Sequence, residues 1–347
     1  MSFNNSIIFY IIIFILLMMC FQYKKKLSQQ DIYDEHDLIN RFLMRDDADF
    51  DDMFRNNKKP IIWIHIDYKT NSRKWLDYGS RNSRNLNRSY LSLTLRSIIE
   101  TCGSSFHICI IDDKSFYSLI PYWEIDVFGM ANPLQTHIRE LALAKILERY
   151  GGMRFPASFI CFTDLLPLYK SATAVQTMFV AEMQSATTNA NVFGGSDVVG
   201  DLYLPNTVIC GCTQNSLEMQ TYISYLETLI SHDYTNEMDV SGKINMWLAM
   251  NHNIHVISAN MFGIRTASNK AVLIDDLMGD FDIDFDPNAV GIYIPDSDLL
   301  RRIHFGWFLR MTPEQILSSN TIVGKYLLIY NGSNGSNGNG CCECSEK

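Results

Sequence analysis

The stretch from Thr136 to Phe162 limits the folds open to this chain more than any other. Ile138, Leu141, Ala142, Ala144, Ile146 and Leu147 recur at helical spacing up to Tyr150, and Gly151-Gly152 follows where a helix C-cap calls for positive φ. Phe155 to Phe162 is β-rich. The spacing therefore predicts a helix, a glycine corner and a strand, the junction of an α/β domain.

Two apolar runs upstream extend that reading. Pro60 to Ile66 suits a central parallel strand buried on both faces. The polar stretch Asp67 to Asn87 is then a loop at its C-terminal end, where doubly wound sheets bind ligands. Ser89 to Cys102 has helical periodicity with Ser89 as N-cap, and Phe106 to Ile111 forms the next strand, ending in Asp112-Asp113. Together they make one βαβ unit. A carboxylate just past a parallel strand is placed to meet a ribose or base, and Asp113 can also cap a helix over Lys114 to Leu119.

Downstream, the pattern predicts helices over Asp164–Tyr169, Ser216–Leu229 and Ile244–Ala249, and strands over Thr177–Glu182, Asn206–Gly211 and Ile254–Ser258. Asp280, Asp282, Asp284 and Asp286 alternate with apolar residues, so a strand would align all four carboxylates; a solvated loop or edge strand is the default. His304 and Trp307 read either as a core pair or as rings that stack on a sugar or uracil.

With net charge −9 and pI about 5.4, no basic surface speaks for nucleic acid. No glycine-rich phosphate loop follows either early strand, which disfavours P-loop and dinucleotide-binding enzymes. Ser6 to Tyr23 is an uncharged, mainly apolar run followed by Lys24-Lys25-Lys26, the pattern of an uncleaved membrane anchor, with the lysines favouring a cytosolic main domain. The expected organisation is an anchor over 1–26, a stalk over 27–57, an α/β domain over 58–330 and a Gly/Ser/Asn-rich tail over 331–347. Nine cysteines, an odd number scattered through strands and helices, read as free thiols.

The Leu147-x-x-Tyr150-Gly151-Gly152 helix end comes after an Ile62-Trp63-Ile64-His65 strand and an Ile110-Ile111-Asp112-Asp113 strand end. In this order they resemble the sugar-nucleotide-dependent glycosyltransferases of the GT-A fold. The resemblance is to glycosyltransferase family 32 and the capsular polysaccharide synthesis proteins over roughly Lys59 to Asn260; elsewhere the chain is weakly similar to uncharacterised proteins of large DNA viruses. It implies a GT-A-like (Rossmann-like) mixed, mainly parallel sheet flanked by helices, a nucleotide sugar as donor, and transfer of a hexose to a glycan acceptor. It implies nucleotide-sugar contacts from His65, Arg73, Arg81, Arg84, Arg139, Gly151, Gly152 and Arg154, and catalytic carboxylates among Asp112, Asp113 and Glu182. The family's Asp-x-Asp, which holds Mn or Mg against the diphosphate, falls here on Pro156 and Ser158, leaving the metal ligands unassigned. Leu143 stands where the family has an arginine, and Arg139 lies one turn earlier on the same face. Two functions follow: an active transferase, or an inactive glycan-binding or structural protein on the same fold.

Overall fold

The computed structural model describes residues 13–14, 16–22, 59–66, 88–184, 203–232, 237–301 and 303–332. The chain divides into two compact units, Met1–Leu43 and Met44–Lys347, and the division falls inside the stretch read as a stalk. In the first unit, residues 13–14 and 16–22 are helical and exposed. Among the described residues no helix is long and apolar enough to cross a membrane. The remainder of the expected anchor, the whole of the stalk and nearly all of the tail lie outside the described residues.

The second unit carries β1 (Ile61–His65), α1 (Ser89–Cys102), β2 (His107–Ile111), α2 (Ser115–Leu119), α3 (Leu134–Tyr150), β3 (Gly152–Arg154) and β4 (Phe159–Cys161). It continues with α4 (Leu166–Val175), β5 (Met178–Gln184), β6 (Tyr203–Cys212), α5 (Leu217–Ser231), α6 (Glu237–Met250), β7 (His255–Ile257) and β8 (Gly291–Tyr293). Short helices and a last helix, Ile322–Gly332, complete it. The main sheet has the order β2-β1-β3-β6-β5-β7, with β6 antiparallel to both neighbours and the other pairs parallel. The expected mixed, mainly parallel sheet is thus present, and β4 and β8 form a separate antiparallel pair.

β1 and β2 are apolar at nearly every position because neither face meets water. Ile61, Trp63, Cys109 and Ile111 join one buried cluster with residues of α3, α5 and α6, while alternation turns Ile62, Ile64, Ile108 and Ile110 to the opposite face. Buried thiols take part in this packing. Burial pushes Cys109 and Cys210 up to about 12, which keeps both protonated. Cys102 and Cys161 are also free and buried, with sulfurs 3.7 Å apart.

The glycine corner joins these layers. Gly151 and Gly152 have φ of 69° and 99°. A β-carbon on Gly152 would sit 2.2 Å from the Ile61 carbonyl oxygen, and one on Gly151 would sit 2.8 Å from the Gln214 amide nitrogen. The buried Trp63 indole donates to the Gly151 carbonyl at 3.0 Å, tying β1 to the end of α3.

Several expectations need correction. The strand after the corner starts at Gly152 and not Phe155, and it is split from β4 because Pro156 has no N–H to continue a ladder. Ser89 is the first residue of α1 and not its cap; Arg88 holds the cap position without a side-chain bond. The acidic run is loop, with Asp280, Asp282 and Asp284 exposed, so the default reading holds and the aligned strand does not. His304 is exposed and Trp307 keeps 38% of its surface, while the neighbouring Phe305 and Phe308 take the core positions. They are not a core pair.

Gly152→Val is expected to destabilise the protein by roughly 2–4 kcal/mol, combining positive-φ strain with a clash against backbone that cannot yield. Denaturant melts check this; an unchanged midpoint would refute the close approach of β3 to β1.

Candidate functional site

The C-terminal ends of the parallel strands gather most of the ionisable groups singled out in the sequence. His65 ends β1 and stacks on Phe116 of α2, with centroids 5.6 Å apart and planes 14° from parallel. Its Nε2 donates to Asp113 Oδ1 at 3.0 Å. Arg139 of α3 grips the same carboxylate as a fork, Nε to Oδ1 at 2.8 Å and Nη2 to Oδ2 at 2.6 Å. All three side chains keep only 11–14% of their exposure. Burial alone would raise the Asp113 carboxyl, but the hydrogen bonds and charges of His65 and Arg139 hold it well below the usual carboxylate range.

Asp112 has a different part. Its Oδ1 accepts from the Lys114 and Ser115 amides and the Ser115 hydroxyl, each at 3.0 Å, and so opens α2. The capping expected of Asp113 therefore belongs to Asp112, because Asp113 is turned toward Arg139.

A second knot lies one residue along α3. Arg154 Nη1 donates to Glu140 Oε2 at 2.6 Å, and Thr207 Oγ1 and the Tyr222 hydroxyl donate to Oε1 at 2.5 and 2.9 Å. Burial opposes ionisation of Glu140, yet the Arg154 charge and these hydrogen bonds hold its carboxyl below the ordinary value. Arg154, implied for a diphosphate by the resemblance, is engaged by this internal carboxylate. Glu182 on β5 accepts from the Ala259 amide at 3.2 Å and Arg265 at 3.3 Å, and Arg265 lies 3.7 Å over the Tyr203 ring. In the sheet it stands three strands from β1. Arg73, Arg81 and Arg84 lie outside the described residues.

The position implied for a metal does not fit one. Ser158 is buried, its hydroxyl donates to the Ile294 carbonyl at 2.8 Å, and its own carbonyl accepts from the Ile294 amide at 2.9 Å. Pro156 offers no side-chain ligand. Among the described residues, no group of three or more His, Cys, Asp or Glu side chains could hold a metal ion.

Glu140 and Arg265 were missed in the sequence. Residues 140, 144 and 147 share a helical face, so Glu140 had to be buried beside Ala144 and Leu147 and needed a cation; that signal was present. Nothing local marks Arg265. Also missed was a cavity of about 270 Å³ at the C-terminal end of β5, bounded by β6, α6 and residues 264–274 and 293–298.

No protein-family model and no curated protein matches the chain. Solved structures with similar chain paths include the galactosyltransferase LgtC in complex with donor and acceptor sugar analogs, at 10% identity and TM-score 0.36, covering 79% of this chain and 95% of that one. Another is mouse xyloside xylosyltransferase 1, at 11% identity and TM-score 0.36, covering 59% and 86%. A third is the Streptococcus pneumoniae glycosyltransferase GlyE, at 10% identity and TM-score 0.39, covering 80% of this chain and 64% of GlyE. Similarity this low transfers neither activity nor substrate.

Removing the Asp113 charge leaves Arg139 and His65 facing each other, so Asp113→Asn is expected to cost about 2–4 kcal/mol at neutral pH. The folded pKa is depressed, so this stabilisation is complete above the unfolded carboxylate value of about 4 and declines as pH falls below it toward the folded value. Urea melts of both proteins against pH should show a gap that is constant near neutrality and narrows in acid. A gap that widens in acid would contradict the knot.

Proposed function

We propose that this chain is a glycosyltransferase-like protein that binds a nucleotide sugar at the C-terminal edge of its parallel strands and transfers a hexose to a glycan acceptor. The observation that carries this reading is the convergence of His65, Asp113 and Arg139. They come from separate parts of the chain and were each implied as site residues by the sequence resemblance, and His65 and Arg139 both hydrogen-bond Asp113. The edge on which they meet is the edge where α/β sheets bind nucleotides. In this reading Asp113 orients His65 and Arg139 at the donor edge, and the positive charge that meets the diphosphate comes from the arginines of the polar stretch after β1.

A second reading is an inactive glycan-binding or structural protein on the same scaffold. It is favoured by Ser158, whose hydroxyl and carbonyl are both bonded to Ile294 where a metal-binding carboxylate would be needed. Membrane attachment through residues 1–26 belongs to either reading, and deletion of those residues should release the protein from the membrane pellet.

A thermal-shift panel of nucleotide sugars, with manganese or with EDTA, tests the proposal, since a ligand held at 100 times its Kd stabilises by about 2.7 kcal/mol. The expected result is stabilisation by at least one nucleotide sugar that survives EDTA and weakens with salt, as charge contacts near solvent are screened. Stabilisation that requires manganese and is lost on changing Asp112 and Asp113 would establish a metal-dependent enzyme with a relocated site. No shift under any condition would leave the inactive reading.

A further inference from the structure

The cavity beyond β5 belongs to neither ionic knot, and its lining is chemically selective. Among the described residues no lysine or arginine lines it, and Asp298 is its one carboxylate. Asp298 stands exposed at the cavity mouth, and its side chain makes no hydrogen bond or ion pair among the described residues, unlike Asp112, Asp113, Glu140 and Glu182. Around it stand neutral polar residues: Tyr293, Ser241, Ser297, Asn206 and Asn245. Asn206 Nδ2 donates to Asn245 Oδ1 at 3.3 Å, which orients the two amides relative to one another and leaves the Asn245 amino group for a ligand. Met183, Val208, Ile264 and Val272 supply apolar wall.

We propose that this cavity is a binding site for a neutral or amino-bearing saccharide, with Asp298 as the specificity-determining group that accepts a hydrogen bond from a ring hydroxyl or ammonium. A pyranose has hydroxyls at its edge and C–H faces, and this lining offers donors, acceptors and apolar wall in one small space. An unpaired carboxylate repels a phosphate or uronate and attracts an ammonium. Burial, together with the Asp296 and Asp298 charges, pushes the Tyr293 phenol above its ordinary value, so it remains a donor to a sugar oxygen. The cavity is thus unsuited to the diphosphate and suited to the second substrate. This rests on the glycosyl-transfer reading only for the expectation of a saccharide.

Calorimetric titration of the full chain in mild detergent tests it with four probes: a neutral hexose trisaccharide, a glucosamine trisaccharide, a galacturonic acid trisaccharide and uridine diphosphate. The amine should bind most tightly, the neutral sugar next and the uronate least. Asp298→Asn should weaken the amine by roughly tenfold or more and erase the amine preference, as expected for loss of a charged hydrogen-bond acceptor. Ser241→Phe, a change at an exposed helix position that fills the cavity, should abolish saccharide binding and leave uridine diphosphate unaffected. Equal binding of uronate and amine, unchanged binding in Ser241→Phe, or no saccharide binding by the unmodified chain would each overturn the proposal. Saccharide binding without nucleotide binding would keep the cavity assignment and remove glycosyl transfer.

Discussion

The close backbone approach of Gly152 to Ile61 is the contact on which the rest of the sheet depends. β3 is three residues long, yet in the order β2-β1-β3-β6-β5-β7 it is, among the described residues, the strand that joins the βαβ unit to the second half. A side chain at Gly152 would hold β3 away from β1, and β6, β5 and β7 would move with it. The Trp63 indole reinforces the corner from the opposite direction by bonding the Gly151 carbonyl in a dry environment, where an unmade bond would be costly.

That corner also sets the register of α3, and through it the site. Arg139 lies twelve residues before Gly151, roughly 18 Å along the helix axis, and meets Asp113; Glu140 meets Arg154 and the β6 hydroxyl of Thr207. These buried or half-buried pairs are each compensated. Their Coulomb attraction is largely offset by desolvation, so their main effect is to fix geometry, while loss of one partner is expensive. A compensated Asp113–Arg139 pair brings little net charge to a diphosphate. The arginines of the polar stretch after β1 would have to provide the rest.

Much of the scaffold was legible in the sequence because period and punctuation report burial directly. The apolar runs of β1 and β2, the helix ending at Tyr150 and the two glycines each followed from a local rule. Boundaries failed where one residue outweighed the pattern: Pro156 cut a β-rich run in two, and Phe305 and Phe308 took the core positions expected of His304 and Trp307. The site was legible only in part. His65, Asp113 and Arg139 were found through motifs, but their mutual bonding depends on a topology that joins residues 48 and 26 positions apart. Arg265 and Asp298 carry no local signature, since their significance comes from what the C-terminal lobe places beside them.

Pro156 and Ser158, the positions at which the sequence resemblance implies a metal motif, are built into the fold. Ser158 does more than lack a charge: it bonds Ile294 twice and thereby seats the β4–β8 pair, and the segment just beyond Ile294 walls the cavity. A carboxylate there would replace a hydroxyl donor with an acceptor facing a buried carbonyl, an arrangement penalised by both desolvation and repulsion. The same segment is held from its far side, where Arg88 reaches both Asp296 oxygens at 2.6 Å and the Tyr90 hydroxyl bonds the same carboxylate. Ser158 and the start of α1 together thus fix residues 293–298. On the saccharide proposal, these contacts hold in place the wall that carries Asp298.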